Sequence, residues 1–228
     1  MLAAAAVVPT PPLLVPEVAG GAAARDADLR DACDAAVATL RGCDRLVVVG
    51  SAPATGPCDG GWDWRGFGVA APPAAPRVRL PLALAVGAWL LDRAGLRGAA
   101  HGVAATASPQ ECAALGAALT AEGDVGLLVC GDGSARRDER APGHLDPRAA
   151  GFDAAAGAAL AAGDPDALLA RDPGLAAALL AAGRAPWQVL AGAAAGRRWQ
   201  AQVAYEAAPY GVGYVVATWR PASLGSGS

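Results

Sequence analysis

The side chains able to do chemistry are few, and the densest group is Gly131-Asp132-Gly133-Ser134-Ala135-Arg136-Arg137, directly after the apolar run Val125 to Cys130. A buried strand ending in such a turn is where an α/β protein presents chemistry, because ligands bind beyond the carboxyl ends of sheet strands. Asp132 offers a carboxylate and Ser134 a hydroxyl. Their plain role is to accept backbone amides of the turn. As a nucleophile Ser134 lacks a histidine placed to activate it, and the Gly-x-Ser-x-Gly elbow is absent. The chain has two histidines, His101 and His144. His101 reads as a surface or packing residue and His144 as a turn residue. A further carboxylate, Glu206, sits near the C-terminal end. A site combining Asp132, His144, Glu206 and a thiol such as Cys130 or Cys58 is the other arrangement these residues allow.

The five cysteines, Cys33, Cys43, Cys58, Cys112 and Cys130, are an odd number at irregular spacing with no Cys-x-x-Cys pair. They read as free thiols of a reducing, cytoplasmic setting. Hydrophobic residues make up 54% of the 228, yet aromatics only 5%, and alanine supplies the excess. Every one of the 18 basic residues is Arg, with no Lys, Asn or Ile anywhere, a pattern of codon bias to which no mechanism attaches. A net charge of -3 with scattered arginines argues against a nucleic-acid partner. Met1 to Val8 is apolar but has no basic residues before it, and Pro9, Pro11 and Pro12 follow at once. Neither a signal peptide nor a membrane span is expected there, since a span needs about 20 apolar residues.

The elements that must position these groups alternate. Met1 to Val8, Arg45 to Val49, Gly102 to Ala105 and Val125 to Cys130 read as strands, and Asp26 to Arg41 as a helix with Leu29, Cys33, Val37 and Leu40 on one face. Leu80 to Ala94 suits a buried helix. Ser51 to Pro76, rich in Pro, Gly and Trp, reads as a long loop in which Trp62 and Trp64 cover the sheet end. Ser108-Pro109-Gln110-Glu111 is a capping box. Asp146-Pro147, Asp164-Pro165 and Asp172-Pro173 read as helix starts, and Gly163 and Gly183 as helix stops. Gln200 to Tyr205 and Val212 to Trp219 suit a terminal hairpin joined by Glu206 to Gly211. The pattern predicts one α/β domain over residues 1–221, with a central mixed sheet flanked by helices, and a flexible tail over 222–228.

The Gly131 turn resembles the Gly-Asp-x-Ser-His turn of the class III extradiol dioxygenase subunit-B (LigB-like, Memo-like) family, with Ala135 in the histidine position. Four more segments carry the resemblance in the same order. Pro9-Thr10-Pro11-Pro12 is similar to the family's Pro-His-Pro-Pro, and Gly50-Ser51-Ala52-Pro53-Ala54-Thr55-Gly56 to its Gly-Pro-Asn-His-Thr-Gly loop with one extra residue. Gly143-His144-Leu145-Asp146-Pro147-Arg148 with Phe152-Asp153 is similar to Gly-Tyr-Asp-Pro-Arg-Gly-x-x-Phe-Asp. Glu206 with Pro209-Tyr210-Gly211-Val212-Gly213-Tyr214 is similar to Glu-Gly-Pro-Phe-Gly-Val-Gly-Tyr.

The resemblance implies a site for non-heme Fe(II), held by two histidines and a glutamate, with a further histidine as acid/base. Such a ligand set leaves positions open for a catecholate and dioxygen, and imidazole passes protons near neutral pH. Carried over residue by residue, the metal histidines fall on Thr10 and Ala54 and the acid/base histidine on Ala135. Only the glutamate survives, as Glu206. The expectation is a degenerate frame whose pocket keeps Thr10, Ala54, Asp132, Ser134, Ala135, His144 and Glu206, holds no metal and no cofactor, and binds a small molecule or a protein partner. The alternative is an extradiol-type or other metal-dependent enzyme with a site rebuilt around Glu206, which would need Fe(II). The resemblance also points to a homodimer.

Overall fold

A computed structural model describes residues 1–70 and 75–222, so the final residues 223–228 of the expected tail lie outside the described residues. Seven strands form one mixed sheet: β1 (Leu2–Val8), β2 (Arg45–Ala52), β3 (Gly56–Cys58), β4 (Ala99–Ala104), β5 (Val125–Cys130), β6 (Trp199–Ala207) and β7 (Tyr214–Pro221). Their spatial order is β3-β4-β2-β5-β1-β7-β6. The four inner strands β4, β2, β5 and β1 are parallel, β3 joins β4 antiparallel, and β7 joins β1 antiparallel with β6 outside it. The α/β architecture with one central mixed sheet is therefore as the strand and helix pattern predicts.

Strand side chains alternate between the two faces, and both faces are covered, so inner strands read as unbroken apolar runs. On β5, Val125, Leu127 and Val129 enter one core while Leu128 and Cys130 enter the other. The first core lies under α4 (Pro109–Leu119), α5 (Ala149–Ala162), α6 (Pro165–Leu169), α7 (Pro173–Ala178) and α8 (Arg184–Ala194). The second lies under α2 (Ala27–Ala38) and α3 (Leu82–Arg93), with the short α1 (Pro16–Ala19) leading into α2 through a 3-10 segment. The alanine and glycine excess serves close helix packing. A methyl group on Gly116 of α4 would overlap the Val189 carbonyl of α8, and one on Gly192 of α8 would overlap the backbone of Ala113.

The capping box forms as its residues predict: Ser108 Oγ accepts the Glu111 amide, and the Glu111 carboxylate accepts the Ser108 amide at 2.7 Å. Asp164 and Asp172 cap α6 and α7. Asp146 does not cap α5, whose first flanking residue is Arg148; its carboxylate instead accepts the Arg148 amide and guanidinium. Gly163 ends α5 in the left-handed conformation, but Gly183 opens α8 rather than closing a helix. It is glycine for close approach, since a methyl there would overlap the Trp187 ring. The Ser51 to Pro76 stretch is not all loop. Gly56–Cys58 pairs with β4 as an edge strand, too short to show periodicity. Glu206 lies within β6 rather than in the hairpin loop, paired with Val215.

Candidate functional site

β1 and β5 are adjacent and parallel, with Val8 opposite Cys130, so the residues that follow them meet at the carboxyl edge of the sheet. Thr10 donates its amide to Asp132 Oδ1 at 2.6 Å and its hydroxyl to Asp132 Oδ2 at 3.3 Å. Burial pushes the Asp132 carboxyl up to about 6, further than the two Thr10 hydrogen bonds pull it down. The Asp132 charge also acts on Cys33, Cys130 and Tyr214, which all belong to the core under α2 and α3. Burial holds both thiols well above their ordinary range, so they stay protonated and unreactive.

Ser134 is fully buried and its hydrogen-bonding capacity is spent. Its hydroxyl donates to the Leu179 carbonyl at 3.0 Å and accepts the Arg136 amide at 3.1 Å, while its own amide donates to Asp153 Oδ1 at 2.7 Å. Ala135 uses its backbone alone, donating to Leu179 and accepting from Gly143. His144 is exposed in the left-handed region at φ 59°, with Nδ1 2.9 Å from the Glu139 carbonyl. Ala54 is exposed on the loop after β2. His101 is half-buried on β4, where desolvation lowers its pKa. Trp62 and Trp64 stack with centroids 5.9 Å apart, Trp64 buried in the core under α3.

Glu206 stands apart from Thr10 and Asp132. Its partner across the strands, Val215, faces the first core, and its carboxylate lies against α5, where a methyl on Gly157 would come within 2.8 Å of Oε1. There, exposed to solvent, it borders a half-open cavity of 290 Å³ lined by Gly133 after β5, Arg137, Asp153 and Gly157 of α5, Trp187 of α8, and Gly213 to Val215 at the start of β7. The turn after β5 is tied to the β6–β7 connection by Gly133 N–H to Gly213 O at 2.7 Å and Gly213 N–H to Ser134 O at 2.8 Å. This approach requires glycine on both sides, because a methyl at Gly133 or Gly213 would run into the Asp153 carboxylate. Asp153 in turn accepts Arg137 Nη1 at 2.9 Å. Burial raises the Asp153 pKa, against the opposing pull of the Ser134 amide and Arg137.

The charges around the cavity do not balance. Arg137 is paired with Asp153, whereas Glu206, exposed to solvent, makes no ion pair or side-chain hydrogen bond among the described residues. Trp187 is 1% exposed, and its indole Nε1, like that of Trp64 in the other core, has no hydrogen-bond partner among the described residues. A buried donor without a partner costs about 1–3 kcal/mol.

The residues at the carried-over positions do not fit an iron site. Ala54 has no ligating atom, Thr10 Oγ1 is engaged by Asp132, and Glu206 lies on the other side of the sheet. Among the described residues no group of three His, Cys, Asp or Glu side chains is arranged to hold a metal ion, so Asp132, His144, Glu206, Cys130 and Cys58 are not gathered into one either. Among the same residues, no helix is long and apolar enough to cross a membrane.

No protein-family model matches the chain, and no curated protein does. Among solved structures it is similar to the crystal structure of uncharacterized protein JW3007 from Escherichia coli K12. That match has a TM-score of 0.56 and 14% identity, covering 96% of this chain and 99% of the other. At that identity the likeness carries the fold alone.

Sequence reasoning placed Asp132 and Ser134 at the sheet's carboxyl edge, and there they lie. It passed over Arg137, Asp153 and Trp187. Asp153 was visible only as the end of Phe152-Asp153, and Arg137 only as the last residue of the turn after Cys130. Trp187, a bulky aromatic after Pro186 in an alanine-rich helix, was the available signal in a chain with few aromatics.

Proposed function

We propose that this chain is a binding protein on a LigB-like frame that takes a small molecule in the Glu206–Trp187 cavity and works without a metal ion. One observation carries the reading: a 290 Å³ cavity lined by Arg137, Asp153, Trp187 and Glu206 lies where the turn after β5 meets the start of β7. Small-molecule sites have this make-up, a mostly preformed concavity with a few polar groups that fix orientation. The position supports it too, since the turn after β5 lies beyond the carboxyl end of a parallel strand. The donor set argues against the ring-cleaving alternative, because Thr10, Ala54 and Glu206 cannot converge on one ion.

The test is reconstitution. Protein purified anaerobically and loaded with Fe(II) is assayed for bound iron and for ring opening of catechols. The expected result is far less than one iron per chain and no ring-opened product. Stoichiometric iron with turnover overturns the proposal.

A further inference from the structure

We infer that a second cavity, between α7 and the start of α8, binds a short aliphatic carboxylate, its charge held by Arg184 and its chain lying along α7. This cavity is separate from the one at Glu206 and Trp187, so the two readings stand or fall independently. It measures 370 Å³ and lies beyond the carboxyl end of β4, where Ala105 follows the strand. Arg184 lines it and is 2% exposed. Among the described residues this guanidinium meets no carboxylate. Its Nη1 donates to the Ala107 carbonyl at 2.6 Å and to Gln188 Oε1 at 2.9 Å, and its Nη2 to the Ala105 carbonyl. Its charge also acts on the Cys112 thiol, which burial keeps protonated. Glu111, near that thiol, is exposed and spent on capping Ser108. Every direct partner of Arg184 is therefore neutral, whereas buried charges are ordinarily paired. The Nη2 edge is the one that meets the cavity, because Ala105 lines it while the Nη1 partners Ala107 and Gln188 do not.

The start of α8 adds a second demand of the same sign. No side chain caps that helix, and the amide of Ala185, another lining residue, donates to nothing among the described residues. A helix N-terminus with a free amide favours negative charge, as does an uncompensated guanidinium, and a carboxylate fits both. No acidic side chain lines the cavity to oppose it. The other walls are apolar: Pro173, Ala176 and Ala177 of α7, then Leu180 and Ala181. Leu180 is 52% exposed, so apolar surface there is left uncovered by the chain itself. A bare anion leaves these walls wet, and an amine is repelled by Arg184. The volume is at the small end of the roughly 300–1,000 Å³ common for ligand sites, which suits a short chain.

The experiment titrates the full chain at neutral pH, by calorimetry, with hexanoate, butyrate, hexylamine and inorganic phosphate. The expected result is saturable binding of hexanoate, with butyrate about tenfold weaker for the methylenes it lacks, and no saturable binding of hexylamine or phosphate. Arg184→Gln weakens hexanoate binding about tenfold or more. Because Arg184 is buried and ties α8 to the turn after β4, a second variant leaves it in place. Ala177 is exposed on α7 and lines the cavity, so Ala177→Phe fills the space without entering the core. It is expected to abolish hexanoate binding with an unchanged melting temperature. Hexylamine or phosphate binding as tightly as hexanoate overturns the inference, and so does hexanoate binding that survives Ala177→Phe. Absence of saturable hexanoate binding overturns it as well. Each of these results leaves the reading of the Glu206–Trp187 cavity untouched.

Discussion

The carboxyl edge of the sheet has two sides, and they differ in how their polar groups are satisfied. Toward α2 and α3, Thr10 and Asp132 serve each other, and the neighbouring thiols are buried and protonated. Toward α5 and α8, Ser134 and Arg137 are tied to Asp153, which with Trp187 and the exposed Glu206 lines a cavity. The side with the richer chemical motif is closed upon itself. The side that looks like ordinary packing in the sequence borders the cavity. Unsatisfied buried groups are rare enough in folded proteins that each calls for a reason, and among the described residues each side has one, Trp64 Nε1 in the core under α3 and Trp187 Nε1 in the core under α8.

Asp153 is where the comparison breaks most easily, because it holds the turn after β5 to the β6–β7 connection. Asp153→Ala strands the buried Ser134 amide and leaves Arg137 without its carboxylate. The expected loss is about 3 kcal/mol of stability, which lowers the melting temperature of a chain this size by roughly 6–12 °C. Thermal unfolding followed by circular dichroism measures it. A change within 2 °C would mean that Asp153 does not hold the wall of the cavity.

The closed side is sharpened by pH. The folded Asp132 carboxyl titrates at about 6, above its ordinary 3.8. Between those values the folded state binds more protons than the unfolded one, so this group makes the protein less stable as pH rises from about 4 to about 6, with no further change above. The difference is on the order of 2 kcal/mol. In Asp132→Asn that component vanishes, and denaturant titrations of both proteins at pH 4.5 and 7 read it as a change in relative stability. Equal pH dependence in the two proteins would show that burial does not govern Asp132.

How much of this was legible depends on whether the cause was local. The capping box at Ser108 and Glu111, the caps at Asp164 and Asp172, and the two-sided apolar strands were all legible, because each follows from neighbours within a few residues. The edge strand Gly56–Cys58 was not, since three residues cannot show an alternation and its pairing is with β4 some 40 residues away. Glu206 was misplaced into the hairpin loop because alternation breaks at the bulge between Val203 and Tyr205, which shifts the register just before it. Gly183 reads as a stop because glycine ends helices, whereas here it is needed so that the Trp187 ring can lie against it. The candidate cavity draws on β5, α5, α8, β6 and β7, and no local spacing records that meeting.

The smallest expected effect is also the most direct test of the left-over group, and it needs no ligand. Trp187 and Trp219 are both buried in the first core, and they differ in one hydrogen bond: Trp219 Nε1 donates to the Leu160 carbonyl at 2.7 Å, while Trp187 Nε1 donates to nothing. Replacing either by Phe removes similar volume and the same N–H. In Trp219→Phe the lost bond leaves the Leu160 carbonyl with only the long 3.4 Å bond from the Gly163 amide, whereas in Trp187→Phe the change removes an existing penalty that offsets the lost packing. Trp219→Phe is therefore expected to cost about 1–2 kcal/mol more than Trp187→Phe. Chemical denaturation of both variants measures the difference. Equal losses would place a partner on Trp187 Nε1 and remove the difference between the two indoles.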